Sequence, residues 1–190
     1  VLILIALLFF LSLGDNDGDD EPSSTRVDTR ATMTARARPP EVAWRLARIT
    51  SELSGQTIVA VVQIADRDVE VFAGRRVRPE LAIRCRANQY EWVVTTHTSA
   101  ANDFYYGPDR ALFSYRADGG KLISRPFTQA TARDAYIAEV TAEDWRLVLN
   151  GQAERLVMGF EPFSASPVEF AFDLNGLRTA MMPVQQACTR

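Results

Sequence analysis

The residue types that most often carry catalysis are scarce in this chain. It has one histidine, His97, and two cysteines, Cys85 and Cys188. These three residues are too few for a four-ligand zinc site made of His and Cys, and a Ser-His-Asp triad would have to recruit His97. The sequence also shows no nucleophile motif, no metal-ligand spacing and no phosphate-binding loop. We therefore expect a protein that is not an enzyme and has no metal and no cofactor.

Two groups of charged residues are weaker candidates for chemistry. Arg116 and Asp118 flank a tight turn, where they would either bind a ligand or brace the turn as an Arg-Asp pair. Glu161 and Glu169 are candidate catalytic carboxylates only because they are close in sequence. A catalytic carboxylate needs a partner placed for general acid or base work, and no motif stands behind either residue.

A basic cluster and an aromatic loop are the candidate interface. The arginines lie in a loop and continue along the next strand, where they would meet an anionic glycan, a lipid headgroup or an acidic partner, or form a solvated face. The aromatic residues lie in the segment NDFYYGP, where they would either contact a partner or cap the core. The candidate interface residues are Arg75, Arg76, Arg78, Phe104, Tyr105 and Tyr106.

The net charge excludes one class of partner. The chain has 190 residues, with 21 Lys and Arg against 24 Asp and Glu, for a formal net charge of -3. Six of these acids and four of these bases precede Glu41, which leaves 18 acids and 17 bases in the remainder. A domain this close to neutral has no positive electrostatic field that would attract a polyanion, so we expect no nucleic-acid partner.

The chain divides into three segments. Residues 1–13, VLILIALLFFLSL, have the length of a signal-peptide h-region, and an uncleaved anchor or a buried element of the domain is the alternative. Residues 14–40 are acidic and rich in Pro, Ser and Thr, which predicts a disordered tether. Residues 41–190 are predicted to form a single domain. This order favours an exported, periplasmic protein, either soluble after cleavage or tethered to the inner membrane, that meets the membrane only through its first segment.

The domain consists mainly of short runs with the composition of β-strands. Two of these runs flank Asp118, Gly119 and Gly120, a strong hairpin signal because these residues accept positive φ. The predicted strands are Gln56–Asp66, Leu81–Arg86, Glu91–Thr96, Ala111–Ala117, Lys121–Phe127, Ala153–Phe160 and Pro167–Asp173. We predict a mainly β fold with minor α structure, in which helices cover an antiparallel β-sandwich or a curled sheet.

Two helices are predicted. Thr141 and Asp144 approximate a capping box, with Gly151 at the C-cap. The last helix runs from about Gly176 to Ala187, with Asp173 interpreted as its N-cap and a kink at Pro183. Its apolar stripe is formed by Leu177, Met181, Val184 and Cys188.

The two cysteines are predicted to face one core. Cys85 lies on the inward face of an alternating strand, and Cys188 lies on the apolar stripe of the last helix. In an exported domain this placement favours a Cys85–Cys188 disulfide, with two unpaired core thiols as the alternative. A redox function is disfavoured because the sequence has no C-x-x-C spacing.

Three segments resemble a known family: LAIRCR (81–86), SYRADGG (114–120) and FEPFSASPVEFAFDLNGLRTA (160–180), followed by Cys188. Together they are similar to the VasI/TagO family associated with bacterial type VI secretion. The resemblance extends from about Trp44, where WRLARITSELSGQTIVAVV is similar to the opening strands of the family. The motif residues that we expect to be structural are Tyr115, Arg116, Asp118, Pro167, Asp173 and Gly176.

The resemblance implies an accessory protein of the bacterial envelope. We expect it to act by binding an envelope or secretion-machine protein, or the cell-wall glycan. The rival functions are a periplasmic module that binds carbohydrate or lipid, and a diverged hydrolase. A pair of carboxylates in a deep cleft would favour the hydrolase, and coplanar exposed aromatic rings would favour the carbohydrate or lipid module.

Overall fold

The computed structural model describes residues 44–50, 57–101, 107–131, 133–149 and 152–189. The predicted targeting segment and tether lie outside the described residues, as do Phe104, Tyr105 and Tyr106. The domain boundary near Glu41 and the contacts of these three aromatic residues therefore stay predictions. No helix in the described ranges is long and apolar enough to span a membrane.

The described part of the chain contains eleven strands. They are β1 (Arg45–Thr50), β2 (Thr57–Ile64), β3 (Val69–Glu70), β4 (Arg76–Val77), β5 (Glu80–Arg86), β6 (Gln89–Thr95), β7 (Arg110–Ala117), β8 (Ile123–Gln129), β9 (Ala135–Glu139), β10 (Arg155–Phe160) and β11 (Val168–Asp173). The helices are a 3-10 turn (Phe72–Gly74), α1 (Ala142–Asp144) with a π-helical turn directly after it (Trp145–Leu149), α2 (Leu177–Ala180) and α3 (Met182–Cys188).

Nine of these described strands form one antiparallel sheet in the order β1-β2-β5-β6-β9-β8-β7-β10-β11, while β3 pairs with β4. The prediction of a mainly β fold is confirmed, and of its two forms the curled sheet is the one observed. The strand segments predicted from composition, alternation and turn residues correspond to β2, β5, β6, β7, β8, β10 and β11. Strand β9 was not predicted, and β1 was expected only through the family resemblance.

Asp66 links the two sides of the strand order, the β1–β2 side and the β10–β11 side. It follows β2, and its backbone N–H donates to the carbonyl of Ala171 in β11 at 2.8 Å. Asp66 Oδ1 accepts the N–H of Ala171 at 2.9 Å, and its Oδ2 accepts Arg155 Nη2 at 2.7 Å. Next to this contact, the indole N–H of Trp44 donates to the carbonyl of Asp173 at 2.9 Å. These bonds hold the sheet in its curled form without a ladder between β1 and β11.

The inner face of the sheet is filled with aromatic rings. In β7 the residues Ala111, Phe113 and Tyr115 alternate inward, as the period of a strand requires. Phe113 stacks on Phe160 of β10 at a centroid distance of 5.3 Å and lies 4.8 Å from Phe127 of β8. Such pairs are worth about 0.5–1.5 kcal/mol each beyond the area they bury. The aromatic core therefore fixes the relative positions of the strands, and with them the loops that connect the strand ends.

The C-terminal helices differ from the prediction in two ways. The expected kink at Pro183 is a break between α2 and α3, and Pro183 lies in the first turn of α3, where its missing N–H costs no hydrogen bond. Asp173 is not the N-cap of the last helix, because Gly176 occupies that position with φ 78°. Asp173 Oδ1 instead accepts the backbone N–H of Asn175 at 2.8 Å, since three residues still separate β11 from the helix.

The predicted apolar stripe and the predicted disulfide are confirmed. All four residues of the stripe are buried, and α3 packs against β2 and β5. Cys85 in β5 is bonded to Cys188 at the end of α3, with Cα atoms 5.4 Å apart. The disulfide therefore fixes the last helix on the sheet.

Candidate functional site

Four connections at one end of the sheet enclose a groove of about 370 Å³, which we call the loop groove. The 3-10 turn with Arg75, the segment after β6, the β8–β9 turn and the β10–β11 connection each contribute to it. Its lining residues are Phe72, Arg75, Thr98, Ser99, Arg133, Asp134 and Phe163. Since loops on a rigid sheet carry most binding functions, this end of the fold is the leading candidate.

Two aromatic rings of the loop groove are exposed to solvent. Phe72 has 61% of its surface exposed and Phe163 has 64%. A large apolar side chain in such a position loses the hydrophobic free energy that burial would give it, about 1.5–3 kcal/mol. Exposed phenylalanines on either side of a groove are typical of a surface that a partner covers.

The cations of the loop groove have no acidic partner in the described part of the chain. Arg75 Nη2 donates to the backbone carbonyl of His97 at 2.6 Å, which orients its guanidinium but leaves its charge uncompensated. Arg133 is exposed, and the bonds recorded for it use only its backbone: its N–H donates to Ala130, and its carbonyl accepts from Gln129 and Ser99. Both guanidinium groups remain available for an anionic ligand.

The backbone around the loop groove is unusually often left-handed. Of the seven non-glycine residues with positive φ in the described ranges, four lie in or beside it: Ala73, His97, Arg133 and Ser164, with φ between 53° and 61°. This region costs a non-glycine residue of order 1 kcal/mol, and such residues concentrate at binding and active sites. Ala73 and Ser164 directly follow the lining residues Phe72 and Phe163, and Arg133 itself lines the loop groove.

The polar groups of the loop groove do not form a nucleophile and base pair. Ser99 Oγ donates to the carbonyl of Arg133 at 3.4 Å, and His97 Nε2 lies 3.8 Å from Glu80 Oε1. Both His97 and Glu80 are partly exposed, and Ser99 is not the residue recorded beside the imidazole. The described residues contain no group of three or more His, Cys, Asp or Glu side chains that could hold a metal ion.

The structure separates the arginines that were predicted to act together. Arg75 lines the loop groove. Arg76 lies in β4 opposite Glu70, and Arg78 donates to Asp68 at 2.6 Å. Arg78 is thus paired with a carboxylate, and Arg76 lies opposite one in the β3–β4 register. Arg75 is the member of the cluster that lines the groove.

The motif residues of the β7–β8 turn brace the sheet. Asp118 accepts the backbone N–H groups of Glu154 at 2.9 Å and Arg155 at 2.8 Å. The expected Arg116–Asp118 pair does not form within the described residues, because the Asp118 carboxylate is bound to this backbone; Arg116 is exposed. Asp118 joins the β7–β8 turn to the start of β10, and nothing in the structure explains Arg116 or Pro167.

Tyr115 belongs to a buried network around Asp144. The side chain of Asp144 has no exposed surface: Oδ1 accepts the hydroxyl of Tyr115 and Oδ2 accepts Arg125 Nη2 at 2.8 Å. The N–H and hydroxyl of Thr141 also donate to Asp144 Oδ2, at 2.7 and 2.8 Å, and the predicted capping box is confirmed. Arg125 lies 5.2 Å from the ring centroid of Phe127. The Asp144 network therefore joins β7, β8 and α1 through a compensated pair of charges, of which Asp144 is fully buried and Arg125 largely so.

Alkaline pH is expected to weaken the fold through Tyr115. Burial, and then the hydrogen bond to Asp144, raises the pKa of Tyr115 well above its ordinary value of 10.0. A group with a raised folded-state pKa gives its full contribution below the unfolded pKa, and that contribution is lost as pH rises toward the folded pKa. The free energy of unfolding, measured by urea denaturation, should fall above about pH 10 by up to about 1.4 kcal/mol per pH unit.

The matched variant for this effect is Tyr115→Phe, which keeps the ring and removes the titrating group. Its stability is lower at neutral pH, since Asp144 loses a donor, but its slope above pH 10 should be shallower than that of the native chain. Burial also raises the pKa of Tyr136, so some slope remains. Equal slopes for the two proteins would contradict the assignment to Tyr115.

Sequence reasoning missed Phe72, Arg133 and Phe163. Each lies in a connection whose position at the end of the sheet is set by pairing between distant strands. No local sequence pattern indicates that these connections lie close together. The signal that was present is an aromatic residue next to turn residues, as in the segment FAG (72–74) and in EPFSASP (161–167).

A comparison of the chain with family models, curated proteins and solved structures finds no match.

Proposed function

We propose that this chain is a non-enzymatic, exported accessory protein that binds an acidic segment of an envelope or secretion-machine protein in the loop groove. The observation that carries the proposal is the combination of exposed Phe72 and Phe163 with two arginines that lack an acidic partner in the described structure. The rings provide apolar contact area, and the guanidinium groups select for carboxylates.

The charge of the loop groove supports an acidic ligand. Arg75 and Arg133 give two positive charges, and Asp134 is the single carboxylate among the lining residues. Asp134 also fixes the site, because its backbone carbonyl accepts the N–H groups of Thr96 at 2.7 Å and His97 at 3.2 Å. A ligand with carboxylates on either side of an apolar residue would satisfy both arginines while it covers the rings.

The geometry favours binding over hydrolysis. His97 Nε2 is directed at Glu80 and Ser99 Oγ at a carbonyl, so neither is placed to pass a proton to the other. The resemblance to accessory proteins of type VI secretion and the Cys85–Cys188 disulfide are both consistent with a role in the periplasm.

The test is charge reversal in the loop groove. In a strain that lacks the gene, complementation with Arg75→Glu and Arg133→Glu together should reduce capture of the natural partner at least about tenfold, equivalent to about 1.4 kcal/mol. The fold should be unchanged because neither guanidinium supports the core. Arg116→Glu is the matched control, since Arg116 is exposed and lies outside the loop groove.

Two further variants separate the rival functions. A photo-crosslinking residue at position 163 should trap a protein, whereas the same residue at exposed Leu122 should not. His97→Ala should leave function intact. A folded His97→Ala protein without function, with the arginine variants active, would favour the hydrolase, and crosslinks to glycan alone would favour the carbohydrate module.

A further inference from the structure

A second concavity lies at the opposite end of β6 from the loop groove. It encloses about 440 Å³, and we call it the aromatic pocket. Its lining residues are Tyr90, Val140, Thr141, Ala142, Trp145 and Arg146. The loop groove follows the last residue of β6, whereas Tyr90 is the second residue of that strand, so the two sites are independent surfaces.

The walls of the aromatic pocket are apolar and firmly held. The rings of Tyr90 and Trp145 lie 4.8 Å apart with an interplanar angle of 46°. Tyr90 is the cross-strand partner of the disulfide-bonded Cys85, and its carbonyl accepts the N–H of Val140 at 2.9 Å. Trp145 begins the π-helical turn, a rare element that is often found at functional sites. A ligand would meet a preformed surface and lose little binding free energy to ordering it.

The polar groups around the aromatic pocket are all hydrogen-bond donors. Within the described part of the chain, the hydroxyl of Tyr90 and the indole N–H of Trp145 form no hydrogen bond. Arg146 Nε donates weakly to the carbonyl of Ala142 at 3.3 Å, and its terminal nitrogens have no ion pair among the described residues. Burial raises the pKa of Tyr90, so its hydroxyl stays protonated and able to donate.

This donor set selects a class of ligand. No carboxylate or carboxamide side chain lines the aromatic pocket. A neutral glycan carries no charge, so it would leave the guanidinium of Arg146 without a counter-charge. A carboxylate only accepts, and it matches the guanidinium of Arg146, the charged side chain in the lining of the aromatic pocket. The apolar walls require that this carboxylate carry an apolar group.

We propose that the aromatic pocket binds the free C-terminal residue of a peptide chain, with an apolar side chain against Tyr90 and Trp145 and the terminal carboxylate on Arg146. Thr141, Ala142 and Arg146 are exposed, so the pocket is open on this side and the preceding residues of the peptide can extend into solvent. This site lies outside the loop groove and does not depend on the function proposed for it.

The probe is the dipeptide N-acetyl-alanyl-leucine with a free carboxylate, compared with its C-terminal amide. Saturation-transfer NMR with the intact disulfide-bonded protein should detect the acid, and titration calorimetry should give a dissociation constant at least about tenfold lower for the acid than for the amide. Arg146→Gln should abolish this difference, because the variant removes the charge of an exposed side chain and leaves the core unchanged.

The controls separate this proposal from the first. Arg116→Gln, outside the pocket, and Arg75→Glu with Arg133→Glu, in the loop groove, should bind the acid as the native chain does. Trp145→Phe should weaken binding of both probes. The proposal is overturned if the acid gives no signal, if acid and amide bind equally, or if N-acetylglucosamine binds better than the acid.

Discussion

Replacement of Asp144 by alanine should lower the free energy of unfolding by about 3–5 kcal/mol, the cost of removing one partner of a buried ion pair. The variant leaves the guanidinium of Arg125, only 18% exposed, without its counter-charge. It also deprives the Tyr115 hydroxyl and the Thr141 N–H of their acceptor. Urea denaturation at neutral pH, followed by tryptophan fluorescence, measures the loss.

The control for this variant is Asp173→Ala. Asp173 also has a carboxylate that accepts a hydrogen bond within its own turn, but this residue lies at the surface. Its cost should be about 1 kcal/mol or less. A second variant, Asp144→Leu with Arg125→Met, removes both charges and should recover much of the stability, since an apolar pair avoids the desolvation of a buried ion pair. If Asp144→Ala alone is as stable as the native chain, the Asp144 network does not hold the fold.

Removal of the disulfide should have an effect of similar size. Cys85 and Cys188 are 103 residues apart, and in the chain-entropy view closing a loop of this length raises the free energy of the unfolded chain by about 4.7 kcal/mol. Cys85→Ala with Cys188→Ala should therefore unfold at a lower urea concentration, and α3 should exchange its amide hydrogens faster than the core strands. The two substitutions remove no long apolar side chain, so the destabilisation caused by new cavities is small.

Reduction of the native chain is the control that leaves the sequence unchanged. A thiol reductant should destabilise the native protein by about as much as the double variant and should leave the double variant unaffected. A stability difference below about 1 kcal/mol, with the amides of α3 still protected, would contradict the role assigned to the disulfide.

The elements predicted from sequence were those with a local signal. Alternation identified Leu81–Arg86, turn residues identified the β7–β8 hairpin, and the spacing from Leu177 to Cys188 identified a buried helical face. The disulfide followed from these two periodicities, because each placed its cysteine on an inward face. Thr141 with Asp144 followed from capping chemistry, which depends on residues three positions apart.

The elements that were missed depend on tertiary pairing. β9 reads AYIAE, in which two alanines weaken the β signal, and it forms because it lies between β6 and β8. The loop groove combines Arg75, Arg133 and Phe163, which lie in three connections brought together by the strand order. Asp173 was misassigned because the pattern that predicts an N-cap is also compatible with a turn before the helix.

The bond between Asp66 and Ala171 has a consequence for the order in which the chain folds. Asp66 finds this partner 105 residues later, and Trp44 finds Asp173 after 129. A ribosome must therefore deliver the chain as far as Asp173 before Asp66 and Trp44 acquire these partners. Chains dominated by such distant pairings fold slowly, in milliseconds to seconds, after their synthesis is complete. Until residues 171–173 have been synthesised, the contacts that join the two sides of the curled sheet cannot form.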